Sequence, residues 1–399
     1  MSVADPAPLA LARWSSCAAR SLRSPPLERS ADYLRWLERI GRETPGLALI
    51  PTSDDLVWIL ATSAGTLREH FRLAPLTPEG ALQVLDKWTL REACLRAGVG
   101  TLPTWLPRRE ADLEDIAREA GFPLVVKPRT QLFHRTHSKG VVVEDFVGLL
   151  AAFRRLAAEG CEAPALLARV PGLALPLIQA FASGAEAGVI SIAGFAGSQH
   201  EILAARASRK RVLYPRSLSV GVRFAAIPLE RQLLDSLGRL FAVVGFHGIF
   251  EAEFVPWQGG LALIDFNPRV YGQIGFDMAR GLPLAELAYR EAIGGDEAGL
   301  LRLASSPGRD LPEAEYVNSF AVAADRFVSR LLGESSPVPE VAVRRENALE
   351  FVLDAHDRLP MLVDGAQILA GQLRRLVKAL AGRGRRHGGA RRTPPIQPD

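Results

Sequence analysis

The apolar positions along the chain change repeatedly between helical and strand-like spacing, which predicts a mixed α/β protein. Residues 28–42 place apolar side chains at helical spacing and predict an amphipathic helix. Residues 47–51 predict a short buried strand, and Ser53 or Asp54 can cap the helix that follows it. This order is typical of one α/β unit of an open parallel sheet.

The remaining elements follow from the same spacing. The predicted strands are residues 122–127, 141–143, 175–180, 186–193, near 202–205, 248–255, 261–266, 341–343 and 349–352. The predicted helices are one from Asp86 to about Gly98, and residues 110–120, 146–158, 228–244, 273–294 and about 364–380. The strands 248–255 and 261–266 flank a glycine-containing turn and predict a β-hairpin. Residues 206–216 form a basic segment after a strand, with a charged surface loop as one interpretation.

Composition bounds the class of protein. The chain has 399 residues, of which 48% are apolar and 23% charged, as in a globular protein with room for two or three subdomains. The three cysteines are far apart in the sequence and show neither metal-binding nor disulfide spacing, which favours a reducing, cytoplasmic setting. The most apolar window is interrupted by polar residues and glycines, so we expect no membrane association.

The positive charge is concentrated at the C-terminal end. The net charge of the chain is +4, and residues 383–399 hold five arginines and one aspartate, so the rest of the chain is neutral. A neutral body gives no electrostatic reason to expect nucleic acid as a partner. We interpret residues 383–399 as a basic disordered tail.

The predicted hairpin carries the strongest chemical signal. Glu253 lies on its first strand, and Asp265 and Asn267 lie two apart at the end of its second strand, so their side chains share a face. Carboxylate and amide oxygens of this kind are ligands that Mg²⁺ prefers where phosphate oxygens complete the shell. Arg269 can form a fork toward a phosphate or carboxylate. The alternative for each residue alone is a surface ion pair or a turn, but the four together favour a metal site.

Lysine is rare in this chain, so its positions are informative. The five lysines stand beside 43 arginines, at Lys87, Lys127, Lys139, Lys210 and Lys378. Lys127 ends a predicted strand, where α/β proteins place their sites, and a flexible amine suits a moving phosphate. The alternative is a surface lysine whose stem covers apolar side chains.

A further pair of features has two interpretations from the residues alone. The strand and turn around Gln179 can read an adenine through backbone groups, with Glu186 accepting from ribose hydroxyls, or can be a plain buried hairpin. The basic segment with Lys210 can hold a γ-phosphate or be a charged loop.

Taken in order, these pieces resemble the ATP-grasp superfamily, in its carbamoyl-phosphate-synthase-like and biotin-carboxylase-like branch. The resemblance covers roughly residues 45–295 and rests on Asp86-Lys87, the FPLVVKP run that contains Lys127, the Gln179–Glu186 segment, Glu253, and the DFNPR run from Asp265 to Arg269. Its most specific element is Asn-Pro-Arg after an acidic strand end.

The resemblance implies a fold and a set of roles. The fold is α/β and α+β, with two α+β subdomains that clamp ATP behind a shortened pre-ATP-grasp α/β domain. The implied ATP-binding residues are Lys87, Lys127, Lys139, Gln179, Ala180, Ala182, Glu186 and Lys210, with Ala180 and Ala182 acting through their backbone. The implied ligands of one or two Mg²⁺ ions, for which Mn²⁺ is an alternative, are Glu253, Asp265 and Asn267. The implied catalytic residues are Lys127, Asn267 and Arg269.

The implied reaction is an ADP-forming ligation in which a carboxylate is activated as an acyl phosphate and joined to an amine. The implied partners are small-molecule carboxylate and amine substrates, and a homodimer is the default for this branch. Two alternatives are another ATP-grasp reaction, such as carboxylation or carbamoyl-phosphate formation, and ATP binding without catalysis. The second alternative arises because residues 130–140, where the family has a glycine-rich loop, contain a single glycine. A further departure is Gln179, where the family's adenine hinge usually has a carboxylate.

The expected domain organisation follows from this resemblance. Residues 1–85 are assigned to the shortened pre-ATP-grasp domain and residues 86–300 to the ATP-grasp domain, with a lid subdomain at about 110–182. Residues 301–382 form a C-terminal α/β extension, and residues 383–399 the basic tail.

Overall fold

Strands and helices are interspersed along the chain, as the apolar spacing predicts. The computed structural model describes residues 1–74, 77–134, 139–161, 163–183, 188–214, 220–305, 311–333, 348–350 and 357–387. The strands are β1 (Ser2–Asp5), β2 (Arg20–Arg23), β3 (Leu47–Ala48), β4 (Phe71–Arg72), β5 (Thr104–Trp105), β6 (Leu124–Lys127), β7 (Val141–Val143), β8 (Leu177–Ala180), β9 (Ile190–Ala196), β10 (Ile202–Tyr214), β11 (Val220–Ile227), β12 (Gly248–Trp257), β13 (Gly260–Asn267), β14 (Glu315–Val317) and β15 (Ala348–Glu350).

The helices connect these strands. They are α1 (Ser30–Glu43), α2 (Asp54–Thr62), α3 (Ala64–Leu67), α4 (Pro78–Leu85), α5 (Lys87–Ala97), α6 (Asp112–Ala120), α7 (Phe146–Ala158), α8 (Pro164–Arg169), α9 (Arg231–Val244), α10 (Ile274–Ala279), α11 (Leu284–Ala292), α12 (Glu297–Ala304), α13 (Ser319–Leu332) and α14 (Leu359–His387), with 3₁₀ turns at Leu11–Trp14 and Pro171–Ala174. Within the described residues, no helix is both long and apolar enough to span a membrane.

The chain divides into two units, and the first contains residues from both ends of the sequence. Unit 1 comprises Met1–Arg23 and Val317–Asp399, and unit 2 comprises Ser24–Tyr316. In unit 1, β1 and β2 pair in parallel, and α13 packs against α14. The contact between these helices includes an ion pair of 2.6 Å between Arg375 on α14 and the buried Asp325 on α13. The division at residues 85, 300 and 382 remains a prediction from sequence.

Unit 2 begins with the α/β unit predicted at its N-terminal end. β3 and β4 pair in parallel, and Ser53 caps α2 by accepting a hydrogen bond of 3.2 Å from the Leu56 N–H. α1 buries its apolar face near Phe71 of β4. A Cβ atom at Gly41 would lie 2.7 Å from the Phe71 ring, so glycine is what lets this helix approach the strand.

A four-stranded antiparallel sheet follows, in the order β5-β8-β6-β7. Helices α6 and α7 cover one face. The side chains that share this core are Leu113, Ile116, Leu124, Val126, Val143, Leu149, Ala152, Phe153, Leu156 and Ile178. Because alternate residues of β6 point to opposite faces, Leu124 and Val126 enter the core while Val125 faces the other way, toward a cavity.

A second, larger antiparallel sheet contains β13-β12-β9-β10-β11 in that order. Helix α9 packs on it through Phe241, whose ring centroid lies 4.8 Å from that of Phe250 on β12. Phe246 and Phe266 stand edge to face, with ring centroids 5.1 Å apart. The larger sheet contacts the segment between α5 and β5, where the Leu263 N–H of β13 donates to the Gly100 oxygen at 2.8 Å.

Three sequence predictions need correction or lie outside the described residues. Residues 273–294 form two helices, α10 and α11, because Gly281 adopts a positive φ and Pro283 cannot continue a helix. The predicted helix at 364–380 is longer at both ends, as α14. The predicted strand at residues 341–343 lies outside the described residues.

The basic segment at residues 206–216 is a strand rather than a surface loop over its described part. β10 pairs with β9 on one side and with β11 on the other. Charged side chains can occupy a central strand here because they find partners of opposite charge, and the buried Lys210 pairs with two glutamates of β12.

Candidate active site

A cavity of about 620 Å³ lies in unit 2 and is lined by side chains from both sheets. The predicted site residues that line it are Lys87, Lys127, Lys139, Gln179, Ala180, Ala182, Lys210, Glu253, Asp265, Asn267 and Arg269. The structure therefore brings together residues that are far apart in the sequence. Glu186 lies outside the described residues, so its place at a ribose stays a prediction.

The β12–β13 hairpin places the predicted metal ligands. Glu253 faces Asp265 in the strand register, and Asn267 stands two residues beyond on the same face. Asp265 accepts a hydrogen bond of 2.7 Å from Lys87, and Glu253 accepts one of 2.6 Å from Lys210. Burial raises the pKa of Asp265, but the charges of Lys87, Lys139 and Lys127, with the hydrogen bond from Lys87, together outweigh it, so the pKa is lowered and the carboxylate stays ionised.

Lys87 begins α5, and a buried ion pair holds this helix start in place. Asp86 caps the helix by accepting from the Trp88 N–H at 3.0 Å. It also accepts from Arg129, with Nε at 2.7 Å and Nη2 at 2.5 Å, in a fork that is buried on both sides. Sequence analysis missed Arg129, although it stands only two residues after Lys127.

Lys127 ends β6 and is buried at the cavity wall. Its Nζ donates to the Ile264 main-chain oxygen at 3.3 Å. Burial, together with the nearby charge of Lys87, lowers the pKa of Lys127 to about 7. Gly140 packs directly on this side chain, because a Cβ atom there would lie 2.9 Å from the Lys127 Cβ.

The predicted adenine hinge lies at the apolar end of the cavity. The Gln179 amide donates to Thr104 Oγ1 at 3.0 Å, and the Ala180 N–H donates to the Pro103 oxygen at 2.9 Å. Proline has no N–H to return a bond, so residue 103 provides no donor to the Ala180 carbonyl. Ala182 belongs to an apolar cluster with Leu102, Val255 and Ala262. The apolar lining of this end suits a flat heterocycle read by backbone groups.

Arg269 connects the hairpin to the N-terminal α/β unit. Its Nε donates to Asp54 at 2.6 Å, and its Nη2 donates to the Asn267 Oδ1 at 2.9 Å. The carboxylate partner of Arg269 is therefore Asp54, and Asp265 pairs with Lys87 instead, so the alternative of a surface ion pair between Asp265 and Arg269 does not hold. Asp54 and Asp55 line the cavity, and Asp55 accepts from the Phe133 N–H at 2.8 Å. Sequence analysis gave Asp54 only a capping role and missed Asp55.

A third buried carboxylate of the hairpin was also missed. Glu251 stands two residues before Glu253, and the two side chains share a face of β12. The alternation FEAEF in the sequence was the available signal.

The donor set fits a hard divalent cation such as Mg²⁺. Two carboxylates and an amide oxygen converge at one strand end, and their present partners are cationic side chains, so the position already attracts positive charge. Among the described residues, no group of three or more His, Cys, Asp and Glu side chains is arranged as a metal site. The ligand set would therefore need the Asn267 amide and oxygens from another molecule.

Comparison with known proteins rests on structure. No family model and no curated protein matches this chain. An L-amino acid ligase from Bacillus licheniformis is similar over 73% of this chain and 67% of its own, with a TM-score of 0.55 and 16% identity. An N5-carboxyaminoimidazole synthetase from Staphylococcus aureus, complexed with ADP, is similar over 74% and 70%, with a TM-score of 0.54 and 12% identity.

A third solved structure adds bound ligands. It is the biotin carboxylase domain of the Hydrogenobacter thermophilus 2-oxoglutarate carboxylase in complex with MgADP, ADP and bicarbonate. The similarity covers 69% of this chain and 60% of that domain, with a TM-score of 0.54 and 17% identity. These proteins have the ATP-grasp fold, and this chain has it as well, so the fold predicted from the sequence is confirmed.

Proposed function

We propose that this chain is an ATP- and Mg²⁺-dependent ligase that activates a carboxylate as an acyl phosphate and joins it to an amine, forming ADP. The observation that carries this proposal is the polarity of one cavity. Its apolar end lies against Ala182, and its polar end holds four lysines beside Glu253 and Asp265. ATP has the same polarity, with a flat base at one end and a charged triphosphate at the other.

The cations of the chain would bind and orient the phosphates. Lys87 starts a helix, where the positive end of the helix dipole adds to its own charge. Lys127 is buried and its Nζ has a neutral main-chain partner, so its amine can turn to a phosphate without leaving a carboxylate unpaired. Lys139 and Lys210 reach the same cavity from two other segments. Their common effect is to position the phosphate chain and neutralise it.

The hairpin would hold the metal. Glu253, Asp265 and the amide oxygen of Asn267 supply hard oxygen ligands, and Mg²⁺ or Mn²⁺, when bound, neutralises phosphate charge. The lysines that now pair with Asp265 and Glu253 would then turn toward phosphate oxygens, which exchanges one set of ion pairs for another.

In the proposed reaction a carboxylate oxygen attacks the γ-phosphorus, and the bond to the bridging β,γ-oxygen breaks to release ADP. The amine nitrogen then attacks the acyl carbon, the bond from that carbon to the phosphate oxygen breaks, and the nitrogen loses a proton. Arg269 is suited to steady the transferred phosphate, because its fork is oriented by Asp54 and Asn267.

A carboxylation with bicarbonate is the second candidate, because one similar structure is a biotin carboxylase domain with bound bicarbonate. A protein that binds ATP without turnover is the third.

Thermal unfolding tests whether the chain binds ATP with Mg²⁺. We expect the melting temperature with both to be well above that of the protein with ATP and a chelator, and we expect Asn267→Ala or Asp265→Ala to abolish this difference. Asp115→Ala, at an exposed position of α6, is the control.

Phosphate release then separates the candidates. A panel of amino acids tested in pairs should release phosphate from ATP if the chain is a carboxylate–amine ligase, whereas bicarbonate alone should release it in a carboxylase. Stabilisation by Mg²⁺ and ATP without release under any condition would favour the binding protein. Lack of any stabilisation by ATP would refute the proposal. The expected homodimer is checked by light scattering of the same samples.

A further inference from the structure

Glu251 is a buried carboxylate at the open end of the hairpin, and it has no role in the proposed reaction. Its residue is 2% exposed, and the strand register places it directly opposite Asn267. An ionised carboxylate in such a position is costly unless its oxygens are well supplied with donors.

Four donors surround this carboxylate. Ser191 Oγ donates to Oε1 at 2.7 Å and Gln273 Nε2 donates to the same oxygen, while Asn267 Nδ2 donates to Oε2 at 3.0 Å. Lys210 Nζ lies 3.2 Å from Oε1. All four groups are donors, so both oxygens of Glu251 act as acceptors.

The first consequence concerns the orientation of Asn267. Because Glu251 can only accept, the amide nitrogen of Asn267 must face it, and the amide oxygen must face the opposite way. That oxygen accepts from Arg269 at 2.9 Å. Glu251 on one side and Arg269 on the other therefore fix the direction of the Asn267 oxygen, the only atom of the amide that can bind a metal.

The second consequence concerns Lys210. Its amine lies between two carboxylates, at 2.6 Å from Glu253 and 3.2 Å from Glu251. If Glu253 turns to a metal ion, Glu251 still provides a carboxylate partner while the amine turns toward a phosphate oxygen. The lysine then stays in the cavity instead of becoming a buried cation without a partner.

We propose that Glu251 is a positioning residue that orients the Asn267 amide and retains Lys210, and so sets the Mg²⁺ requirement of nucleotide binding. This inference rests on the proposed function, because it assumes that Mg²⁺ and ATP bind in this cavity. It assigns Glu251 no contact with either ligand.

The test compares Glu251→Gln with the parent by calorimetric titration of ATP at several Mg²⁺ concentrations. The amide nitrogen of the new glutamine must face either Gln273 and Lys210, which are themselves donors, or Asn267. If it faces Asn267, the Asn267 amide would have to turn around. We expect the Mg²⁺ concentration for half-maximal binding to rise at least about tenfold. The affinity for metal-free ATP should stay within about threefold, because the apolar end of the cavity and Lys127 are unchanged.

A swapped double variant provides the decisive control. In Glu251→Gln with Gln273→Glu, the new carboxylate accepts from the new amide nitrogen, and the amide oxygen accepts from Asn267, so the original orientation returns. The negative charge beside Lys210 is also kept, because Gln273 contacts the same Glu251 oxygen that Lys210 approaches. We expect its Mg²⁺ requirement to lie within about threefold of the parent. Glu291 on α11 pairs with His247 and is not among the residues that line the described cavity. Glu291→Gln should therefore leave the Mg²⁺ requirement unchanged.

The outcomes separate this inference from the proposed function. An unchanged Mg²⁺ requirement in Glu251→Gln, or a swap as impaired as the single variant, overturns the inference while the parent still binds ATP with Mg²⁺. A parent that binds no ATP overturns both. If Glu251→Gln does not fold, the double variant decides alone. A half-maximal Mg²⁺ concentration near that of the parent supports the inference, and one that is about tenfold higher overturns it.

Discussion

Lys127 Nζ donates its hydrogen bond to the main-chain oxygen of Ile264, 3.3 Å away, while the carboxylate of the next residue, Asp265, pairs with Lys87. A buried amine with a neutral partner and a second ammonium group nearby is easily deprotonated. Burial, and then the charge of Lys87, lowers the pKa of Lys127 to about 7. Lys87 thus keeps its positive charge, whereas the charge of Lys127 changes near neutral pH.

We predict that ATP binding is coupled to proton uptake by Lys127. At about pH 8 this amine is mostly neutral in the free protein, and phosphate oxygens beside it favour the charged form, so binding should take up close to one proton. As the pH falls through 7 the uptake should decline, because the amine is already protonated. Calorimetric titration in two buffers of different ionisation enthalpy measures this number directly.

Lys127→Met is the matched variant for that measurement, because it keeps the buried apolar stem and removes the amine. Its proton uptake at about pH 8 should fall nearly to zero. Uptake equal to that of the parent would show that another group is responsible. Lys127→Arg should also bind ATP weakly, since a rigid fork cannot replace the mobile amine.

The buried Asp86–Arg129 pair leads to a prediction about stability. Asp86→Asn leaves the Arg129 guanidinium buried without its counter-charge, and breaking such a pair costs about 3–5 kcal/mol in the free energy of unfolding. ATP affinity should fall as well, because the pair ties the helix that starts at Lys87 to the segment after Lys127. Urea denaturation and nucleotide titration measure the two effects.

The control for this prediction is Arg154→Gln, which breaks an equally well-formed fork with Glu110 on the exposed surface. Solvent supports both partners there, so stability should barely change. Similar losses in the two variants would mean that burial does not decide the cost.

Gly140 gives a prediction about the approach to Lys127. Its φ is +141°, and a Cβ atom would lie 2.9 Å from the Lys127 Cβ and 3.1 Å from the Val126 oxygen. Gly140→Ala should therefore cost about 1–3 kcal/mol and weaken ATP binding by moving the lysine. Gly238→Ala, in α9 with no atom within 4 Å of the added carbon, should instead stabilise the protein by up to about 1 kcal/mol. Thermal unfolding of both variants is the measurement, and a neutral Gly140→Ala would contradict the geometry.

Local patterns were sufficient to predict much of the fold and of the site. The strand that ends at Lys127, the cap at Asp86 and the hairpin that brings Glu253 opposite Asp265 all follow from spacing over a dozen residues or fewer. The order of these pieces, compared with a known family, indicated the fold.

The partners of these residues could not be predicted in the same way. Arg269 pairs with Asp54, which lies more than two hundred positions earlier, and no spacing rule connects the two. Lys210 looked like part of a charged loop because its glutamate partners lie on another strand, and only their pairing makes a buried basic strand stable. Glu251 was missed because Glu253, two positions later, already supplied the carboxylate that the family pattern requires on this strand.

Gln179 stands where the resembling family usually has a carboxylate, and its contacts explain the amide. Thr104 donates its hydroxyl hydrogen to the Leu102 oxygen at 2.9 Å, so its oxygen can only accept from residue 179. The Gln179 amide nitrogen is that donor, at 3.0 Å. A carboxylate there would place two acceptors against each other.

We therefore predict that Gln179→Glu destabilises the protein by about 1–3 kcal/mol at neutral pH. Because the environment disfavours the charged form, the pKa of the new carboxyl should be raised in the folded state. The penalty is then complete above that folded pKa and declines as the pH falls through it, since a protonated carboxyl can donate to Thr104. Urea denaturation from about pH 5 to pH 8 tests this. The control is Gln258→Glu, at an exposed hairpin turn, which should show no such pH dependence. A loss of stability in Gln179→Glu that is the same at all pH values would contradict the assigned hydrogen bond.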